Sequence, residues 1–179
     1  MKSILSSFFV CLFISFSFAQ PAATTAVELQ AALEQLEAHS ENSLVKNMAF
    51  TNIGPTVMSG RVVDLDVNPL DPTEFYVAYA SGGLWYTNNN GTSFTPVMDN
   101  APTQNLGDIA VDCKNGTLWV CTGENNSSRS SYAGIGILNS TDKGKTWQNM
   151  GLTDSHHICR FLINPNNPDE VVVAVAGHL

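Results

Sequence analysis

Five basic or acidic side chains stand where an apolar run begins or ends. Arg61 comes directly before the run Val62–Val67, and His157 and Arg160 sit at the start of the run 158–163. Glu124 follows the run Thr117–Thr122 closely, and His178 follows the run 171–176. Side chains at strand ends are carried by a rigid frame, so they meet a ligand with little loss of freedom. Guanidinium and imidazole groups around one carboxylate suit a polar ligand that carries negative charge. A carboxylate there can also act as a general acid. Glycoside hydrolysis normally needs two opposed carboxylates, however, and Glu124 is the only acid that can be assigned to this set.

Plainer roles stand beside these. Arg61 and Arg160 can equally bond backbone carbonyls of a neighbouring unit, and Glu124 can cap its own loop. The pair His156-His157 has the look of a metal site, but adjacent strand residues face opposite ways. No His, Cys or carboxylate spacing in the chain matches a metal-ligand set, so no metal and no other cofactor is expected. The eight Lys and Arg residues are scattered and the net charge is −8, which argues against nucleic acid as a partner. A hydrophobic content of 44% with 13% charged residues fits one globular domain and not a disordered chain.

The elements behind these residues repeat. Residues 140–147 read Ser-Thr-Asp-Lys-Gly-Lys-Thr-Trp, a tight hairpin turn with a job for each residue. Asp142 can fold its carboxylate onto turn amides, and Gly144 supplies a positive φ. Thr146 adds a second hydroxyl to that of Ser140, and Trp147 brings an apolar face to the next strand. The same layout occurs 53 residues earlier in Thr87, Asn89, Gly91, Ser93 and Phe94. A second phrase, Asn68-Pro69 through Glu74, returns 96 residues later as Asn164-Pro165 through Glu170. Between them the runs Leu106–Asp112 and Thr117–Thr122 form the same pair of strands around the hairpin signal Asn115-Gly116. Three units follow, and a period of about 50 residues predicts a solenoid or a propeller.

The turn at 140–147 resembles the Asp-box of sialidase-like and sortilin-like β-propellers. Further phrases carry the resemblance: Ile53-Gly54-Pro55, Met58-Ser59-Gly60-Arg61, Ala80-Ser81-Gly82-Gly83-Leu84-Trp85, Thr122-Gly123-Glu124 and Gly177-His178-Leu179. Residues 50–179 look like the propeller of exported bacterial proteins labelled glycosyl hydrolase or sortilin N-terminal domain. The resemblance implies an all-β fold of four-stranded antiparallel blades. Their strands are Val62–Val67, 75–80, Gly83–Thr87 and 94–97 in the first unit. The second has Leu106–Asp112, Thr117–Thr122, 136–140 and 147–150, and the third 158–163 and 171–176. It further implies that Arg61, His157 and Arg160, with Glu124 and His178, open on one face around a central channel. The box residues, Thr87, Asn89, Gly91 and Phe94 with Ser140, Asp142, Gly144, Thr146 and Trp147, lie on the other face as structural parts.

Two functions follow from the resemblance. One is a binding or scaffold module for a glycan, a peptide or a partner protein. The other is a sialidase-like or xyloglucanase-like glycoside hydrolase. Related sialidases use three arginines, and this chain has three in total, with Arg129 in an Asn- and Ser-rich insertion. Related xyloglucanases place an Asp just before a Gly-Gly turn, where this chain has Ala80-Ser81. Both departures count against the enzyme reading.

Residues 1–19 read as a signal peptide: Lys2, an apolar run over 4–18, and Ser17-Phe18-Ala19 for cleavage before Gln20. The mature chain is then expected outside the cytoplasm, secreted, extracellular or periplasmic, with no membrane span after cleavage. Residues 20–49 hold a leader and one amphipathic helix over 26–39, opened by the capping-box sequence Thr25-Ala26-Val27-Glu28. Export permits disulfides, and Cys113, Cys121 and Cys159 leave a Cys121–Cys159 bridge and buried free thiols both open. Units of about 50 residues put some two and a half blades into 50–179, so the sequence reads as the N-terminal part of a longer propeller.

Overall fold

A computed structural model of the chain describes residues 24–49, 60–126 and 131–177. The signal peptide expected at 1–19, Ile53-Gly54-Pro55, Met58-Ser59, Arg129 and His178 lie outside the described residues. Helix α1 (Ala26–Glu41) begins as its sequence predicts. Thr25 is the N-cap, and its side chain and that of Glu28 form a reciprocal capping box. The helix runs two residues past the expected end, where Asn42 Nδ2 bonds the Ala38 carbonyl at 2.8 Å. Among the described residues no helix is long and apolar enough to cross a membrane.

The rest is antiparallel sheet. The first sheet orders β1 (Val62–Val67), β2 (Phe75–Tyr79), β3 (Gly83–Thr87) and β4 (Thr95–Pro96) in sequence. The second orders β5 (Leu106–Asp112), β6 (Thr117–Thr122), β7 (Ile137–Ser140) and β8 (Gln148–Asn149) likewise. In the third, β9 (Ile158–Asn164) pairs with β10 (Asn167–Val175). Simple up-and-down order with short turns is the layout of propeller blades.

The fourth strands are shorter than the sequence predicts, for two local reasons. Trp147 turns its indole back to bond the Gly144 carbonyl at 3.1 Å, so it belongs to the turn. Pro96 in the other has no N–H to extend a ladder. Strand β10 starts earlier than expected because Asn167 pairs with Asn164 ahead of an irregularity before Val171.

The sheets stack face to face, which explains why β2 is apolar at every position. Tyr76, Val77 and Ala78 are all buried. Tyr76, Ala78 and Leu84 of the first sheet, with Met98 just after it, share a core with Leu106, Ile109, Leu118, Val120 and Leu138 of the second. Full burial of one such Leu contributes roughly 1.5–3 kcal/mol. Leu29 and Leu33 of α1 pack on the edge of this core, though no helix residue is fully buried. A second core joins Cys121 and Ile137 to Ile158 and Phe161 of the third sheet. Stacking brings β5 between β1 and β9. Cys113, Cys121 and Cys159 are free thiols.

Candidate functional site

The three first strands carry their polar residues in register. The third residue of each strand is Asp64, Asp108 and Arg160, respectively. Each aspartate reaches sideways to the next first strand and accepts a backbone amide there. Asp64 Oδ2 accepts from Ile109 N at 3.1 Å, and Asp66 Oδ2 from Val111 N at 2.7 Å. Asp108 Oδ2 accepts from Phe161 N at 2.7 Å. Arg160 closes the set: its Nη1 donates to Asp108 Oδ1 at 3.1 Å and lies 3.9 Å from Asp64 Oδ1. One guanidinium nitrogen thus ties three sheets together.

Glycine lets these strands approach. A Cβ on Gly107 would fall 2.1 Å from the Ile158 carbonyl oxygen and 2.6 Å from that of Gly123. Burial pushes the Asp108 carboxyl up to about 7, and the charge of Asp64 adds to this while the Phe161 amide and Arg160 oppose it. Burial also raises Asp66. A groove of about 310 Å³ runs along the first strands, lined by Asp64, Asp66, Asp108 and Arg160 among apolar neighbours. The Arg160 side chain is 61% exposed although Asp108 holds it.

At one end of the groove, loops from all three sheets meet. Arg61, just before β1, forms an ion pair with Glu124, just after β6. The Glu124 carboxylate is fully buried and the Arg61 side chain is 49% exposed. Among the described residues neither carboxylate oxygen has a hydrogen-bond partner beyond that ion pair. Its loop is fixed by backbone bonds from Gly123 N to Asn105 O at 3.0 Å and from Glu124 N to Tyr132 O at 3.0 Å. Ring nitrogen Nδ1 of His157, just before β9, lies 2.7 Å from the Glu124 carbonyl oxygen. Asn125 Nδ2 bonds the carbonyls of Gly107 and Cys159, each at 3.1 Å.

The sequence candidates therefore divide. Arg61, Glu124 and His157 converge on one spot. Arg160 lies beyond them on the groove wall and pairs with different acids, and His178 is outside the described residues. Glu124 does not face the opening as an exposed acid; it is sealed behind Arg61. The acids of the groove, Asp64, Asp66 and Asp108, were missed by sequence reading. Their signal was available: Asp64 and Asp108 occupy the same place in successive first strands. Among the described residues, no group of three or more His, Cys, Asp or Glu is placed to hold a metal ion.

At the opposite end lie the two repeated turns, and they share their main backbone-to-side-chain bonds. Ser140 Oγ accepts from Gly144 N at 2.8 Å, as Thr87 Oγ1 accepts from Gly91 N at 3.1 Å. Asp142 Oδ1 accepts from Thr146 N at 2.9 Å, as Asn89 Oδ1 accepts from Ser93 N at 3.0 Å. Gly144 and Gly91 have φ of 86° and 77°. The Thr146 hydroxyl and amide hold the Asp142 carboxyl down at about 2. Phe94 packs edge-on against Phe75 with ring centres 6.0 Å apart.

Among solved structures the chain is similar to an ancestral GH74 enzyme, with a TM-score of 0.52 and 18% identity. The match covers 65% of this chain and only 16% of that one, so the chain corresponds to a small part of the enzyme's length. Likeness at this identity shows a β-propeller-like fold. No protein-family model matches the chain, and no curated protein matches it by sequence.

Proposed function

We propose that this chain forms part of an exported β-propeller that binds a neutral, hydroxyl-rich ligand, a glycan, along the groove of its first strands. The observation that carries this reading is Arg160. Buried Asp108 fixes its guanidinium through Nη1, while most of the side chain stays exposed. A donor held this way loses little freedom on binding. The carboxylates of Asp64 and Asp66 beside it add acceptors, and a sugar hydroxyl both donates and accepts. Three carboxylates around one guanidinium disfavour an anion, which turns the reading from a negatively charged ligand to an uncharged one. The signal-peptide reading of residues 1–19 and the resemblance to sortilin-like Asp-box propellers support export and a binding role.

The enzyme reading is kept alive by the likeness to the GH74 enzyme. Its chemistry fits the groove poorly. Asp64, Asp66 and Asp108 are each committed to a backbone amide of the next sheet, whereas glycosidase carboxylates face the sugar from about 5–9.5 Å apart.

Calorimetric titration with neutral oligosaccharides, alongside an assay for released reducing ends, tests the proposal. Arg160→Gln is expected to remove a binding event with little change in melting temperature, and no reducing ends should appear. An identical isotherm for wild type and Arg160→Gln overturns the groove as a site. Release of reducing ends overturns the binding-only role in favour of the hydrolase.

A further inference from the structure

The first and second sheets correspond residue by residue, and at one place they differ sharply in size. Tyr76 pairs with Tyr86 in the first sheet, and Trp119 pairs with Asn139 at the matching place of the second. In the first sheet the Tyr86 hydroxyl donates to Glu74 at 2.7 Å, and its ring centre lies 4.8 Å from that of Tyr76. Large side chains fill that junction. In the second sheet the counterparts of Tyr86 and Glu74 are Asn139 and Thr117, both much smaller.

A cavity of about 590 Å³ lies where those side chains would be, between the second and third sheets. Side-chain size creates it, at a place that the neighbouring unit fills from within its own sheet. Its wall includes Trp119, Thr117, Asn139, Thr141, Lys114 and Asn164. Trp119 is rigid, stacked on Phe161 with ring centres 5.4 Å apart and planes 24° apart. Asn139 is buried and commits its Nδ2 to the Leu118 carbonyl at 3.1 Å, leaving its carbonyl oxygen to accept. The charges on this wall balance: Lys114 stands against Asp112, whose carboxylate is already held by Asn115 Nδ2 at 2.6 Å.

We propose that this cavity is a second ligand site that takes one or two rings of a neutral oligosaccharide. It lies at the start of β6, the end of the sheets opposite Arg61 and Glu124. An indole wall surrounded by amides and hydroxyls, without net charge, suits a sugar ring with one apolar face and a polar rim. A volume of this order is that of a small-molecule site.

The three tryptophans, Trp85, Trp119 and Trp147, give separate indole N–H resonances in a ¹⁵N-labelled protein. Titration with cellopentaose, xylopentaose and laminaripentaose should move the Trp119 resonance saturably with at least one of them. The same shift should persist in Arg160→Gln, because Arg160 lines the groove and not this cavity. The double variant Thr117→Glu/Asn139→Tyr rebuilds the filled junction of the first sheet and should weaken this binding at least tenfold. Asn139→Tyr alone, held to the same tenfold criterion, replaces the double variant if that does not fold. A Trp119 resonance that stays still with all three sugars overturns the proposal. So does a shift lost in Arg160→Gln, or one of unchanged affinity in the filled variant.

Discussion

Arg160 and Asp108 form the junction between the second and third sheets, joined at 3.1 Å. The same carboxylate accepts the Phe161 amide at 2.7 Å. Asp108 thus holds both the side chain and the backbone of β9. Asp108→Ala orphans a buried amide, at a cost of about 1–3 kcal/mol. Arg160→Gln leaves that amide bond intact and should cost less. Urea unfolding of the two variants checks the order, and equal or inverted losses would show that the ion pair and not the amide bond holds the junction.

Asp108 should also set the pH dependence of stability. Its carboxyl is pushed up to about 7 in the folded protein, chiefly by burial. In the unfolded chain it titrates near 3.9. Between about pH 4 and 7 the folded state therefore holds a proton that the unfolded state releases. Stability is fully present at the low end of this window and falls as pH rises through it. Asp142 acts in the opposite sense, because its folded carboxyl is held down at about 2. Its contribution is present above pH 4 and is lost as pH falls towards 2. Asp108→Asn should flatten the slope between pH 4 and 7 and leave the acid limb unchanged. Thermal melts across pH 2–8 read both limbs.

Gly107→Ala should be among the most damaging substitutions in the chain. Its added methyl group meets two backbone carbonyl oxygens, which cannot swing aside as a flexible side chain would. Either the second and third sheets part or the 123–125 loop moves. Loss of cooperative melting, or of soluble protein, is expected. A normal melt would show that the sheets slide past each other freely.

That glycine also shows where sequence reading stops. Gly144 and Gly91 were legible because a turn with a positive φ has a local pattern of residues around it. Gly107 has an ordinary φ, and its reason is the Ile158 carbonyl, about 50 residues away in sequence. The strands were legible for the same local cause: Leu106–Asp112, Thr117–Thr122 and Gly83–Thr87 follow from apolar runs between turn residues. The groove acids were not. Alternation in Val-Asp-Leu-Asp reads as a strand with one wet face, whereas here the wet face meets backbone amides of the next sheet. Glu124 was placed at the correct loop, but its burial depends on Arg61 crossing from another sheet.

The repeated turns predict a graded response. Ser140 is buried, and its hydroxyl accepts the Gly144 amide, so Ser140→Ala should cost about 1–3 kcal/mol. Asp142→Ala removes bonds to the exposed Thr146 and should destabilise less, and Asn89→Ala should follow Asp142→Ala in the first sheet. Chemical denaturation of the three variants checks the ranking. Equal, near-zero losses would mean that the turns are loosely coupled to the sheets.

Arg61 and Glu124 offer the sharpest separation of binding from structure. Arg61→Ala leaves a fully buried carboxylate with neither oxygen satisfied. Breaking a buried pair costs about 3–5 kcal/mol, and the half-exposure of Arg61 puts the expected loss at the lower end. Glu124→Gln removes the charge and keeps the shape, so Arg61→Ala/Glu124→Gln should recover much of what Arg61→Ala loses. A double-mutant cycle by urea unfolding isolates the pair. Recovery marks the pair as a clasp between the first and second sheets, and glycan affinity per folded molecule should then be unchanged in all three variants. No recovery, together with weaker glycan capture in Arg61→Ala, would move Arg61 from the clasp to the ligand site.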